Sequence, residues 1–307
     1  MLKRVPAPPL LAAALLALSA RSASAVTVDG SLDAEYGSPL STQTTQTGAG
    51  DNFGAGTVWG AFGSELDQAY GFVADGVLHL FFTGDLLYEP GAELAGRWHP
   101  LDLFIDSTPG GQNQLLSNNP VIVSYYYDAN MMAGLTFDAG FEPDHWLSCG
   151  TVLFAPLLRA YYGALPTGGG GAGYYLGYSN PGGPGTLSGG TNPFGIEVAI
   201  NDSNTGGVAA GCGAASGAGV TTGIEWAIPL AAIGNPTGCI KVCAFVNSED
   251  HSSLMNQVLG PLPPGTCNLG AASAVNFANI PGPQYFSICP TTPALRATWG
   301  SLKAIYR

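Results

Sequence analysis

The sequence is poor in charge, and above all in positive charge. Only 10% of its 307 residues are charged, against about 25% in ordinary globular proteins. It has 9 Lys and Arg against 21 Asp and Glu, for a net charge of −12. Such a surface repels nucleic acid and anionic lipid, so we expect neither as a partner. Ser, Thr, Asn, Gln and Gly must supply most of the polar surface.

Long hydrophobic runs are missing beyond residue 25, so no membrane-inserting helix is expected. Residues 1–25 predict a signal peptide, with Lys3 and Arg4 before a short apolar core and a small-residue cleavage site at Ala23-Ser24-Ala25. A retained anchor is the alternative. Cleavage removes three basic and no acidic residues, which takes the net charge to −15. We therefore expect a secreted protein, either extracellular or periplasmic.

Helical periodicity with capping residues is also missing. Strand-sized apolar runs recur instead, separated by Gly, Pro and Asn, in a chain with 45 Gly and 23 Pro. This pattern predicts an all-β protein, a jelly-roll-like antiparallel β-sandwich with long Gly/Pro-rich loop insertions. The predicted boundaries are one sandwich domain over 26–290, with a loop insertion at 164–192 that holds one hairpin, and a C-terminal tail over 291–307.

The segment that best defines the fold is the apolar run from Leu101 to Asp106. Its residues 101, 103 and 105 share one face by the two-residue period of a strand, and Phe104 lies on the other. Bulk on both faces predicts a strand in the middle of a sheet. Elsewhere, Asp75-Gly76 predicts a hairpin turn, and Trp226 is expected in the core.

Six cysteines in an exported chain favour disulfides, and fifteen pairings are possible. Cys239 and Cys243 lie four apart on a predicted strand, or about 13 Å at about 3.3 Å per residue. They are too far apart to bond each other, so each is expected to pair elsewhere. A zinc site is the rival interpretation, but no Cys-x-x-Cys spacing supports it.

Four short blocks occur in an order that resembles the family 9 carbohydrate-binding module, one of the DOMON-like β-sandwiches. The resemblance implies a jelly-roll-like sandwich, sugar binding through aromatic platforms, and structural calcium. The chain also resembles a group of secreted bacterial proteins, some of which carry cell-surface sorting tails. Its 107–220 region is far longer than in the sugar-binding modules. The blocks are Val28-Asp29-Gly30-x-Leu32-Asp33, Leu78-His79-Leu80-Phe81-Phe82, Leu101-Asp102-Leu103-Phe104-Ile105-Asp106 and Ile224-Glu225-Trp226-Ala227-Ile228-Pro229-Leu230.

Aromatic side chains are the candidates for a sugar platform, because an aromatic face stacks on the C–H face of a pyranose. Trp59 and Trp98 lie in predicted loops beside Gly and polar residues, and Trp146 is a further candidate. Tyr126 belongs to a run of three tyrosines whose alternating faces expose at least one ring. Ordinary packing is the alternative for each.

Calcium prefers six to eight oxygen ligands, many of them carboxylates. Asp29, Asp33, Asp102 and Asp106 are the candidate ligands for a structural ion. The loop from Asp202 to Gly206 begins like a calcium loop but lacks an acid at the twelfth position. Asx turns are the more common reason for such Asp/Asn-Gly loops.

No catalytic set stands out in the sequence. The four histidines have no metal-binding spacing, and Ser179 lies in a broken nucleophile-elbow pattern. A pair of acids for glycoside hydrolysis is left open. The sequence predicts a non-enzymatic module that binds a polysaccharide or cell-surface glycan through exposed aromatics. The alternative is a structural extracellular-matrix or cell-surface protein that self-associates.

Overall fold

The computed structural model describes residues 26–50, 63–87, 98–122, 128–152 and 155–289. The predicted signal peptide (1–25), Trp59, Tyr126 and the predicted tail (291–307) lie outside these residues.

The described chain is all-β, as predicted, and its helical segments are 3-10 turns of three or four residues. None of the helices in these residues is long and apolar enough to cross a membrane. The strands are β1 (Ser41–Thr42), β2 (Glu65–Ala74), β3 (Val77–Asp85), β4 (Leu101–Asp106), β5 (His145–Val152), β6 (Ala155–Ala164), β7 (Gly173–Ser179), β8 (Ser188–Gly189), β9 (Glu197–Ile200), β10 (Gly223–Pro229), β11 (Ile240–Asn247), β12 (Ser253–Leu259), β13 (Gly270–Ala271) and β14 (Phe286–Ile288). The 3-10 turns are Ala34–Tyr36, Ala129–Met132, Leu230–Ile233, Ala272–Ala274 and Phe277–Asn279.

The strands form two antiparallel sheets packed as a sandwich. The five-stranded sheet has the order β1-β2-β3-β10-β9, and the nine-stranded sheet has the order β13-β12-β11-β4-β5-β6-β7-β8 with β14 paired to β11. Strand β4 lies between β11 and β5, which confirms that it is central. The main core between the sheets includes Leu66, Leu80, Phe82, Ile224 and Trp226 from the smaller sheet and Leu101, Leu103, Leu147, Val242 and Ala244 from the larger one.

Alternation along β4 sorts its side chains between two hydrophobic clusters. Leu101, Leu103 and Ile105 point inward to the core between the sheets and are fully buried. Phe104 points to the outer face of the nine-stranded sheet, where segments from 115–122, 129–141 and 262–285 cover it. Both faces of this sheet are therefore packed, which is why its strands carry bulk on both sides.

Two local predictions, the hairpin turn at Asp75-Gly76 and the burial of Trp226, are confirmed. Asp75 and Gly76 form the turn between β2 and β3, with φ of 50° and 79°, as a type I′ hairpin requires. Trp226 is fully buried, as expected, opposite Leu80 in the β10–β3 ladder.

The segment over 164–192 is more than a loop insertion. Strand β7 pairs along β6, and β8 pairs with β7, so the predicted hairpin extends the nine-stranded sheet. Leu176 is buried in the main core, and Tyr174 stacks on Tyr162 with ring centroids 6.0 Å apart. Cross-strand contacts bring a Gly-rich sequence into the sheet.

The cysteine expectation is confirmed in part. Cys212 bonds Cys267 and Cys239 bonds Cys289, whereas Cys149 and Cys243 are buried free thiols. The expectation that Cys243 needs a disulfide partner was wrong. Cys243 lies in the cluster on the outer face of the nine-stranded sheet and Cys149 in the inner core, so the sheet separates the two.

Candidate ligand-binding site

A small pocket opens on the outer face of the nine-stranded sheet, next to the start of β4. Outward-facing positions alternate along each strand, so Ser148 on β5 and Arg159 and Tyr161 on β6 point to the same side. The cavity is small, with a volume of about 10 Å³. The residues that line this space, here called the Trp98 pocket, are Trp98, Pro100, Ser148, Gly150, Thr151, Arg159, Tyr161 and His251.

A buried carboxylate lies beneath this pocket. Asp102 is fully buried on β4, and its Oδ1 accepts a hydrogen bond from Trp146 Nε1 at 2.9 Å. Its Oδ2 lies 2.9 Å from His251 Nδ1 and accepts from Asn247 Nδ2 at 3.2 Å. Because an ionised carboxylate only accepts, His251 carries its proton on Nδ1 in this pair. The imidazole is thereby held in one orientation, with its opposite edge toward the pocket that it lines.

The turn between β11 and β12 fixes the backbone of His251. Asp250 Oδ1 accepts from the hydroxyl groups of Ser248 and Ser252, each at 2.7 Å, and from the Ser252 N–H at 3.1 Å. His251 itself is left-handed, with φ of 57°, and its carbonyl accepts from Asn247 Nδ2 at 3.1 Å. Side chains with short polar groups thus tie both ends of this turn.

Two aromatic rings form walls of the pocket. Trp98 is 8% exposed, and its Nε1 donates to the Glu249 carbonyl at 3.4 Å. Tyr161 is 5% exposed and packs against Tyr175 with ring centroids 5.4 Å apart. Packing holds both rings in place, so a ligand would contact ring edges and only a small part of each ring face.

Arg159 supplies the positive charge of the pocket and is half-buried. The structure describes two Lys or Arg residues, Arg159 and Lys241. Lys241 pairs with Asp106 at 2.9 Å, whereas no acidic side chain in the described residues is within ion-pairing distance of Arg159. Its guanidinium donors are therefore available to a ligand.

The structure describes two of the four residues predicted to form a sugar platform. Of its candidates, Trp98 lines the pocket, and Trp146 is 1% exposed and donates to Asp102. The exposed large hydrophobic side chains of the described part are not aromatic: they are Leu40, Val121 and Met131.

The structure does not bring the four predicted calcium ligands together. Asp29 Oδ1 accepts from the Ser31 N–H in an Asx turn, and Asp33 Oδ2 accepts from the Thr27 N–H. Both lie in the N-terminal segment on the outer face of the five-stranded sheet. Asp102 and Asp106 lie on the opposite outside of the sandwich, with the partners given above. Among the residues that the structure describes, no group of three or more His, Cys, Asp or Glu side chains is arranged to hold a metal ion.

A second polar feature, a buried acidic cluster, was missed at the sequence level. Glu65 and Asp67 on β2, Asp85 on β3 and Asp202 after β9 are all fully buried. Burial, with added repulsion from Asp67 and Asp85, raises the pKa of Glu65 to about 10. Burial also raises the pKa values of Asp67 and Asp202 to about 8 each. The sequence signal for this cluster is the Glu65-x-Asp67 alternation, which places both carboxylates on one face of β2.

No family model matches this chain, and neither a search of curated proteins nor a search of solved structures finds a significant match. The resemblance to the family 9 carbohydrate-binding module therefore stays a prediction.

Proposed function

We propose that this chain is a secreted, non-catalytic binding module that holds a glycan at the Trp98 pocket. One observation carries the proposal: Arg159, which has no acidic partner in the described residues, shares a pocket with the rings of Trp98 and Tyr161. Aromatic faces with a few convergent polar groups are the usual composition of a sugar site.

The size and charge of the pocket suggest the kind of glycan. The cavity volume of about 10 Å³ is about the room that one water molecule needs, so we propose that the pocket receives a single hydroxyl group at the edge of a pyranose rather than a whole sugar ring. Arg159 can donate to neighbouring hydroxyl groups, with His251 beside it. Because a net charge of −12 repels polyanions, we propose a neutral polysaccharide as the ligand.

The pocket also holds the residue types of a nucleophilic triad, and we assign them a structural role. Ser148 lies opposite Asp102 in the β4–β5 ladder, and both Ser148 and His251 line the pocket. However, Ser148 Oγ makes no hydrogen bond to His251 in this structure. The Asp102 carboxylate is shared among three donors, so it acts as an anchor for the pocket wall.

Retention on insoluble neutral polysaccharides (cellulose, chitin, xylan and mannan) tests the proposal. We expect retention of the wild-type protein on at least one of them. Arg159→Gln should weaken it about tenfold or more, since hydrogen bonds to a charged group are worth about 1.5–3 kcal/mol. Trp98→Ala should do the same, with circular dichroism to confirm folding. Lys241→Gln removes the other described cation and should leave binding unchanged.

Two outcomes would overturn this function. If no polysaccharide retains the protein and sedimentation velocity shows concentration-dependent assembly, the self-associating structural protein is the better interpretation. If reducing ends appear during incubation with a polysaccharide and Ser148→Ala abolishes them, the module is catalytic.

Secretion is part of the same proposal. Two disulfides fit an oxidising compartment. Intact-mass measurement of the protein recovered outside the cell should show an N-terminus at Val26, and recovery of residue 1 from that fraction would contradict cleavage.

A further inference from the structure

Two carboxylates at the start of β2 point at one spot beside the loop that follows β9. A Cβ atom placed on Gly207 would lie 2.5 Å from Glu65 Oε1 and 2.5 and 2.7 Å from the two oxygens of Asp67. The ladder between β2 and β3 shifts register between Leu66 and Gln68, so Asp67 lies at this irregularity. Three acidic oxygens thus lie side by side against the Cα of Gly207, where any larger residue would collide with them.

Most of these oxygens lack hydrogen-bond donors. Asp67 is fully buried, and neither of its carboxylate oxygens has a hydrogen-bond partner. The Val208 N–H and Glu65 lie close enough to lower the Asp67 pKa, but not in normal hydrogen-bond geometry. Glu65 Oε2 is also unsatisfied, while its Oε1 accepts from Asn204 Nδ2 at 2.6 Å. Buried polar groups without partners are rare in folded proteins and call for an explanation, such as a bound ion.

The local charge makes a cation the fitting partner. Asp85 lies directly opposite Glu65 in the β2–β3 ladder, which adds a third buried acid. The two described cations, Arg159 and Lys241, both lie on the nine-stranded sheet. Once ionised, carboxylates that face each other across a ladder repel one another, and a cation bound beside them offsets that repulsion.

A polar groove gives access to this spot. The groove runs between residues 203–207 and 218–222. Asn204 and Gly207 belong both to its lining and to the surroundings of the carboxylates. Loop carbonyl groups and water are therefore at hand as neutral ligands.

We propose that Glu65 and Asp67 bind a divalent cation. The site offers only oxygen ligands, which favours calcium. Neutral oxygens from the adjoining loop and from water complete the coordination shell of the ion. Two carboxylates with carbonyl groups and water are an ordinary ligand set for calcium, which takes six to eight oxygens. The site is distinct from the four aspartates predicted from the sequence, and it does not depend on the glycan proposal.

Calorimetric titration of the chelator-treated full chain with CaCl₂ tests the proposal, with MgCl₂ as the comparison. We expect saturable calcium binding and a rise in Tm of about 5 °C or more at saturation. Asp67→Asn should abolish binding and the Tm rise. Asp33→Asn, at a sequence-predicted ligand, should respond like the wild type.

If Asp67→Asn fails to fold, the proposal is still tested, because calcium binding is measured on the wild type and Glu65→Gln is a second variant. The absence of calcium binding by the wild type overturns the proposal. An undiminished response in Asp67→Asn or in Glu65→Gln also overturns it.

Discussion

Tyr36 Oη donates a hydrogen bond to Glu225 Oε1 at 2.9 Å, joining residues 189 positions apart. Glu225 Oε2 accepts from the N–H groups of Asp29 and Gly30 at 2.9 and 3.0 Å. One carboxylate on β10 therefore fastens the N-terminal segment to the outer face of the five-stranded sheet. Burial raises the pKa of this carboxyl to about 7, against the effect of its donors.

Tyr36→Phe should destabilise the protein by about 1–3 kcal/mol, because it leaves a buried carboxylate oxygen without its donor. Urea unfolding followed by circular dichroism measures the change. Tyr178→Phe, at a half-buried tyrosine whose hydroxyl makes no hydrogen bond in the described residues, is the matched control and should stay within about 0.5 kcal/mol of wild type. Equal effects in both variants would contradict the role of the Glu225 contact.

The buried acidic cluster should make the cation-free protein less stable as the pH rises. Glu65, Asp67 and Asp202 have folded-state pKa values of about 8 to 10, whereas unfolded carboxyls titrate near pH 4. Between these values the folded state binds more protons, so its stability is greatest below about pH 4 and falls toward pH 8–10.

Urea unfolding in chelator at pH 5 and pH 8.5 measures this slope. Asp67→Asn removes one titrating group and should flatten the decline, while Asp33→Asn should keep it. A stability that rises over this interval in the wild type, with Asp67→Asn unchanged, would contradict the protonated cluster.

His145 should change the pH dependence of stability in the opposite direction, because it stabilises the folded protein more at higher pH. Burial lowers its pKa to about 4, partly offset by Asp144, and its Nδ1 lies 2.9 Å from Tyr162 Oη. The unfolded histidine titrates near 6.5, so its contribution is present above pH 6.5 and is lost as the pH falls toward 4.

The difference in unfolding free energy between wild type and His145→Gln isolates this effect from that of the acids. The difference should shrink as the pH falls from 7 to 4.5, and a constant difference would show that His145 does not titrate in this window. NMR titration of the His145 ring gives the folded-state pKa directly.

The six cysteines should divide into two bonded pairs and two free thiols. Alkylation of the native protein without reductant should modify none of them, because Cys149 and Cys243 are both buried. After denaturation, still without reductant, only these two should react. Peptide mapping would contradict the pairing if it found Cys212 or Cys289 alkylated.

Removing a disulfide should cost more than removing an ordinary contact. The Cys239–Cys289 bond ties the beginning of β11 to the end of β14 across a separation of 50 residues. Cys289→Ser should lower stability by about 2–5 kcal/mol, chiefly through the larger freedom of the unfolded chain. Thermal unfolding with and without reductant provides the check. Reductant should lower the Tm of the variant less than that of the wild type, because the variant has only the Cys212–Cys267 disulfide left to lose.

The sequence by itself determined the local structure. The two-residue period from Leu101 to Ile105 gave the central strand its two faces, and Asp75-Gly76 supplied the left-handed conformations of a tight hairpin turn. Leu230–Ile233 forms a single 3-10 turn after Pro229, and Gly234 ends it in the left-handed conformation. Each of these features depends on residues within a few positions of one another, so its physical cause is present in the sequence.

Only the tertiary structure decided which distant groups meet. The Asp102–His251 contact spans 149 residues, and Gly207 reaches Glu65 only because β2 and the loop after β9 share one end of the sandwich. Cysteine pairing likewise followed from which face of a sheet each thiol occupies, as Cys243 shows. Strand order and register determine which of these groups come into contact. Both arise from the packing of whole sheets, which no short stretch of sequence specifies.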